Sequence, residues 1–485
     1  MYLGVDLGTS SLKATVIDDS HQVRAAAEVA LQVIHSGDHQ KEQDPRQWEA
    51  ALEHACSQLA VQIPLNQIER VGLTGQMHGA TCVDESGRVL RPCILWNDGR
   101  SYAECEQLNQ LGTTFTDRSG NLAMPGFTAP KLMWLRAHEP EIYHKIRKVL
   151  LPKDYLRLVL TGDYATDPSD ASGTLWLNPE TRQWDAALME MTGADPDWMP
   201  SIMEGPEESG QISAQASKRF GLPRARVVSG GGDNACGALA LGMTKPNQAF
   251  ISIGTSGVFF VVSDRHQACP SQTVHAFAHA LPNTWHQMTV TLSAAHALAW
   301  LSDVLGQSVD GLVHRVSVSH RTETDVLFLP YLNGERSPHN DPEIRGSFLH
   351  VSATTTAEDL CLAVMEGVAF SFCDGLSALR HANASIQSAL SIGGGAQSKY
   401  WLQIFANALE IPVETSEASS IGPSLGAARL AMHDQDLAYP MEHITDRLIP
   451  NSTRQDYYQS KLAGYRQAYA AIRNIPRSSL KGQMR

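Results

Sequence analysis

Two aspartates stand where chemistry can be done. Asp6 lies at the end of an apolar run in Val5-Asp6-Leu7-Gly8-Thr9-Ser10, and Asp233 follows three glycines in Gly230-Gly231-Gly232-Asp233-Asn234-Ala235. Glycines after a strand leave a carboxylate accessible, and an accessible carboxylate can take the proton of an attacking hydroxyl. A carboxylate at the rim of a phosphate-binding turn instead repels phosphate unless a cation stands between them, which suits Asp6 to a Mg2+-linked role. The plain alternatives are an aspartate satisfied by backbone bonds at position 6 and a helix N-cap at position 233.

The stretch around Asp6 occurs twice. Ile251-Ser252-Ile253-Gly254-Thr255-Ser256 repeats its pattern about half a chain later, with Ser252 where Asp6 stood, and a third small-residue turn follows at Gly393-Gly394-Gly395-Ala396-Gln397-Ser398. Tight turns free of bulky side chains let backbone N–H groups and hydroxyls converge on an anion. Gly8, Thr9 and Ser10 on one side, with Gly254, Thr255, Ser256, Gly394, Gly395 and Ala396 on the other, could grip a polyphosphate between two lobes, with the carboxylate needed on one side only. A single copy would read as an ordinary hairpin. No Gly-Lys pair occurs, so the Walker phosphate loop is absent. Residues 230–235 formally satisfy a dinucleotide fingerprint, but no Asp or Glu lies between Asp233 and Asp264 to hold a ribose, which weakens a dehydrogenase reading.

The elements that must position these residues read as α/β. A hairpin is predicted over 2–17, a helix from Asp44-Pro45 with Trp48, Ala51, Ala55 and Leu59 on one face, and a strand over 71–74. The order then restarts with a hairpin over 249–263, a strand near 288–292 and a helix from about Ala294. A long helix near 357–381, a strand over 389–392 and a helix after Ser398 follow. Gly422-Pro423-Ser424-Leu425-Gly426-Ala427-Ala428 reads as a small-residue helix suited to close packing near a hinge. Two similar domains are expected, 1–245 and 246–485, meeting at the turn-forming Lys245-Pro246-Asn247. His275 and His279 have metal-ligand spacing only if helical, and the alternation of Val274–His279 indicates extended chain, so no metal is assigned there. Glu335-Arg336 reads equally as a rim ion pair or a solvated loop pair.

A chain of 485 residues can bury substantial cores, and its net charge of −13 argues against nucleic-acid or anionic-membrane surfaces. Its eight cysteines show no CxxC spacing and read as reduced thiols. No signal-peptide pattern precedes the first strand, and no unbroken apolar run nears membrane-span length, so a cytoplasmic protein acting on small molecules is expected.

Taken together, the two Gly-Thr-Ser turns, Gly230–Ala235 and Gly393–Ser398 resemble the FGGY carbohydrate kinases, through essentially the whole chain. Gly75-Gln76-Met77-His78-Gly79-Ala80, Trp96-Asn97-Asp98-Gly99-Arg100, Leu151–Leu156 and Leu332–His339 are most similar to the xylulose kinase branch of that family. Gly126–Trp134 resembles the family's first signature and Gly346–Glu366 its second, with Ala137 and His350 departing from the usual residues. The resemblance implies two domains of the actin, hexokinase and heat-shock-protein ATPase type around a cleft. The sugar would lie in the first domain and most of the nucleotide in the second. It implies phosphorylation of D-xylulose by ATP and Mg2+ in pentose catabolism. Asp233 would be the base, Asp6 the acid tied to metal and phosphates, Met77, His78, Asp233 and Asn234 the sugar contacts, and the three turns the ATP contacts. Kinases for ribulose, gluconate or glycerol, and a non-kinase relative on the same ATPase fold, are the rival readings. A homodimer is left open.

Overall fold

The computed structural model describes residues 1–37, 39–319, 321–416, 422–432 and 439–475. Its frame is two sheets of seven strands each. The first is built from β1 (Tyr2–Leu7), β2 (Ser11–Ile17), β3 (Val23–Ala30), β4 (Arg70–Gly75), β5 (Glu208–Gln211), β6 (Arg226–Val228) and β7 (Gly231–Gly232). The second contains β8 (Ala249–Ile253), β9 (Gly257–Ser263), β10 (His275–Ala278), β11 (Trp285–Thr291), β12 (Ala389–Ile392), β13 (Val413–Ser416) and β14 (Ile444–Leu448). Helices used below are α1 (Pro45–Gln62), α2 (Thr128–His138), α3 (Pro152–Thr161), α4 (Asp233–Ala240), α5 (Ala295–Leu305), α6 (Ala357–His381), α7 (Lys399–Leu409) and α8 (Pro423–Met432).

The repetition seen in the two turns extends to whole sheets. The first runs β5–β6–β4–β1–β2–β3, with β7 also paired to β4, and the second runs β10–β11–β9–β8–β12–β13–β14. Reading outward from the hairpin, β1 is antiparallel to β2 and parallel to β4, and β8 is likewise antiparallel to β9 and parallel to β12. Each parallel core gains another parallel strand, β6 or β13, and ends on an antiparallel one, β5 or β14. Strand β10 is an addition at the edge of the second sheet.

Local chemistry starts and stops the elements as expected. The Asp44 side chain accepts from the Arg46 N–H with Pro45 in the first turn, and α1 turns Trp48, Ala51, Leu52, Ala55 and Leu59 into the first core. Thr356 and Asp359 form a reciprocal capping box at the start of α6. That 25-residue helix is apolar enough to match a membrane span in composition, but it is almost wholly buried in the second core. All eight cysteines are free thiols.

Helix α8, late in the chain, packs on the first sheet rather than the second. Thr15 and Ser424 share a hydroxyl hydrogen bond of 2.8 Å. A Cβ at Gly4 would stand 1.9 Å from the Ser424 carbonyl oxygen, one at Gly72 1.9 Å from that of Ala427, and one at Gly426 1.8 Å from that of Cys236. Backbone meets backbone here, as the small-residue run predicted.

Candidate active site

The carboxyl ends of the parallel strands bring the two aspartates to one place. Across the sheet, Asp6 in β1 is level with Thr74 in β4, and Gly231 in β7 is level with Thr74 on its other side, two residues before Asp233. Gly230 makes this possible: with φ +81° and a Cβ position 1.9 Å from the Leu73 carbonyl oxygen, it admits no side chain. The bulge at Gly230 separates β6 from β7, and Asp233 then opens α4.

Asp233 is the first helical residue, and Gly232 occupies the N-cap position. One carboxylate oxygen of Asp233, Oδ1, accepts from the Asn234 N–H at 2.7 Å and from its side-chain amide at 2.9 Å, which leaves Oδ2 uncommitted among the described residues. Asn234 therefore orients Asp233, a contact the residue order alone did not reveal. Burial pushes the Asp233 carboxyl up to about 6, against the lowering effect of those two bonds. Asp6 is buried, and its Oδ1 has no hydrogen-bond partner. Desolvation, with the nearby Asp233 charge second, raises its carboxyl to about 7. A buried carboxylate oxygen with no protein donor suits a cation. Among the described residues no cluster of three or more His, Cys, Asp or Glu could hold a metal alone, so an ion here would depend on other oxygens.

Met77 and His78 sit against this centre. A Cβ on Gly232 would lie 3.0 Å from the Met77 sulfur, and one on Gly173 would lie 2.2 Å from His78 Nδ1. His78 has φ +69°, and its Nδ1 is 2.8 Å from the Gly173 carbonyl. With a carbonyl at that distance, Nδ1 carries the proton and Nε2 is an acceptor. Burial, aided by Lys131 and Arg336, lowers the imidazole to about 3, so it is neutral. The His78 carbonyl accepts from Lys131 Nζ at 2.8 Å and from the Thr128 hydroxyl at 3.0 Å, both on α2. Lys131 thus gives the Gly126–Trp134 signature a physical task.

The three turns differ in what their groups do. Thr9 is tied down: its hydroxyl donates to Gln76 Oε1 at 2.9 Å and accepts from Trp96 Nε1 at 3.0 Å, while Gln43 Nε2 donates to its carbonyl at 2.7 Å. On either side of it Gly8 is half-buried and Ser10 is exposed. In the second turn the carbonyls of Gly254 and Thr255 accept the N–H groups of Ala295 and Ala294 at 2.8 and 2.9 Å, so the start of α5 fixes the loop. The hydroxyls of Thr255 and Ser256 make no bond among the described residues. Gly394 is exposed with open space around its Cβ position, and Gly395 packs so closely that a Cβ would stand 2.3 Å from Ile253 Cγ2. The residue before Gly254 therefore touches the third turn, and the two turns of the second half form one surface.

The halves meet over the acceptor side. Edge strand β10 is held by the first half, where Asn121 exchanges two 3.2 Å bonds with Ala276 and the Ala278 N–H donates to the Ser172 hydroxyl at 3.1 Å. This brings Phe277 and His275 against Phe127 and His78. His275 lies in a strand and is buried, as its alternation indicated, and His279 just beyond it is buried too. Neither expectation for Glu335-Arg336 holds. Glu335 is buried and bonded to Thr291 and Leu292, so it is not solvated, and no ion pair joins it to Arg336.

A twice-built sheet with paired carboxylates at the strand ends and Gly-rich turns in both halves defines an ATPase-type kinase fold. The chain belongs to the FGGY family of carbohydrate kinases: the family's N-terminal domain matches residues 1–240 and its C-terminal domain residues 249–434. The fold is the actin/hexokinase type. The chain is 42% identical over 482 residues to the protein named xylulose kinase of Escherichia coli (strain K12), covering 97% of this chain and 99% of that one. The xylulose kinase of Klebsiella pneumoniae is 42% identical over 439 residues, covering 90% and 91%. A crystal structure described as a xyloylose kinase from Brucella ovis superimposes with a TM-score of 0.94 at 43% identity, covering 98% of this chain and all of that one.

Proposed function

We propose that this chain transfers the γ-phosphoryl group of ATP to the terminal hydroxyl of D-xylulose, giving D-xylulose 5-phosphate and ADP. The observation that carries this reading is the juxtaposition of Asp6 and Asp233 at the strand ends beside Met77 and His78, in a chain so similar to proteins named xylulose kinase.

The sugar lies against Met77 and His78 in the first half, residues 1–245. His78, neutral and protonated on Nδ1, offers Nε2 to a sugar hydroxyl. Asp233, oriented by Asn234, takes the proton of the terminal hydroxyl through Oδ2 as the new P–O bond forms. The second half, 246–485, holds the nucleotide: Gly254, Thr255 and Ser256 line the phosphates, and Gly394, Gly395 and Ala396 lie beside the adenosine. Because the Thr9 hydroxyl is already engaged, the first turn contributes backbone N–H groups of Gly8, Thr9 and Ser10. Mg2+ would be held from Asp6, with phosphate and water oxygens completing its shell, and would neutralise charge on the phosphates. The eight unpaired cysteines fit a reducing, cytoplasmic setting.

The test is an acceptor panel. With ATP and Mg2+, ADP release is measured for D-xylulose, D-ribulose, gluconate and glycerol. D-Xylulose should give the highest kcat/KM, and a higher value for any other acceptor would reassign the substrate.

A further inference from the structure

The Leu332–His339 segment belongs to the second half, yet it sends one side chain to the acceptor side. Its backbone is clamped to β11. The Glu335 carboxylate accepts from the Thr291 hydroxyl and from the Leu292 N–H at 2.9 Å. The Ser337 N–H donates to the Val290 carbonyl at 3.0 Å, and the Ser337 hydroxyl donates to the Thr273 carbonyl at 2.8 Å. Arg336 is thereby fixed between two anchored neighbours. Its guanidinium makes no ion pair and no hydrogen bond among the described residues, since Glu335 is directed elsewhere. Its Nη2 stands 3.5 Å from the position a Cβ on Gly126 would take. Gly126 and His78 are joined, because Lys131 Nζ donates to both their carbonyls at 2.8 Å. The Arg336 charge also bears on the His78 and His275 imidazoles.

A mostly buried guanidinium without an acceptor loses hydration that nothing in the protein replaces. Five N–H donors in a planar fork match two adjacent oxygens of a polyol, whereas neutral His78 offers an acceptor. The two groups are therefore complementary toward a molecule rich in hydroxyls. We infer that Arg336 is a specificity-determining residue that donates hydrogen bonds to the acceptor sugar's oxygens and, reaching in from the second half, sets how the ketose lies against His78. This rests on the ketose-kinase reading above.

The test compares Arg336→Met and Arg336→Lys with the parent protein, steady-state kinetics being measured for sugar and ATP separately. Arg336→Met should raise the KM for D-xylulose by at least about 10-fold and leave the KM for ATP within about twofold, as expected when a buried polar contact to one substrate is lost. Arg336→Lys should fall between. Millimolar guanidinium should restore part of the lost kcat/KM in Arg336→Met, which a merely structural defect would not allow. An unchanged sugar KM, or a rise shared equally with ATP, overturns the inference. Should Arg336→Met not fold, Arg336→Lys decides by the same criteria. The parent is first run on the acceptor panel. If D-xylulose fails there and another sugar succeeds, the substrate reading falls and Arg336 is judged on that sugar. A parent that phosphorylates nothing overturns both.

Discussion

Asp6 and Asp233 flank one strand: both border β4, Asp6 level with Thr74 and Asp233 two residues beyond the Gly231 that is level with Thr74 on the other side. Burial raises both carboxyls above the ordinary carboxylate range, Asp6 to about 7 and Asp233 to about 6, and the Asp233 charge adds to the rise at Asp6.

Asp233→Asn should lower turnover by the roughly 10²–10⁴-fold typical of a positioned base while sugar binding is largely kept. Titration calorimetry with D-xylulose and initial rates on the same preparation check this. Near-parental turnover would remove Asp233 from its role.

The raised carboxyls also predict a pH profile. Asp233 works only when deprotonated, so kcat/KM should fall as pH drops through about 6 and level off above about 7. An acidic limb below pH 5, close to ordinary carboxylates, would contradict the burial described.

Asp6→Asn should separate function from stability. An acid whose folded pKa lies above its unfolded value costs stability as pH rises between the two, and the whole cost is present above the folded value. For Asp6 that window runs from 3.8 to about 7. The variant should therefore melt higher than the parent at pH 8, with a gain that shrinks toward pH 4, and should show weakened Mg2+-dependent phosphoryl transfer. Overlaying Mg2+ titrations of parent and variant would defeat the metal assignment.

Gly173→Ala should disturb the sugar side alone. Its Cβ would stand 2.2 Å from His78 Nδ1, so the imidazole must move and lose its 2.8 Å carbonyl contact. A rise in sugar KM with an unchanged ATP KM is expected, and His78→Ala should share that pattern and shift the preference between D-xylulose and D-ribulose. A change confined to ATP would place His78 on the nucleotide side.

The parts of this protein visible in one dimension are those governed by neighbours in the chain. The two Gly-Thr-Ser hairpins, the Asp44-Pro45 helix start and the alternating strand at His275 follow from turn chemistry, capping and periodicity, and the structure has them where expected. Asp233 and Asn234 are adjacent in the chain and follow a run of three glycines. Residues that support the site across long separations left no local mark. Gln43 and Trp96 reach Thr9 from 34 and 87 positions away. Lys131 holds a carbonyl 53 residues earlier, and in the sequence only the Gly126–Trp134 signature marks it. Glu335-Arg336 reads equally as a rim ion pair or a solvated loop pair because the Thr291 hydroxyl and Leu292 N–H that bind the Glu335 carboxylate lie more than 40 positions away.

The seating of α8 has a consequence for dissecting this enzyme. Gly4 and Gly72 are roofed by the backbone of helix α8, more than 350 positions later in the chain, with no room for even a methyl group between them. A fragment ending near residue 245 would thus carry its whole first sheet and still expose the bare face on which α8 sits, inviting self-association. Supplying residues 246–485 as a separate polypeptide should rescue its solubility. Helix α8 thus lies within the range matched by the family's C-terminal domain while its packing completes the half matched by the N-terminal one.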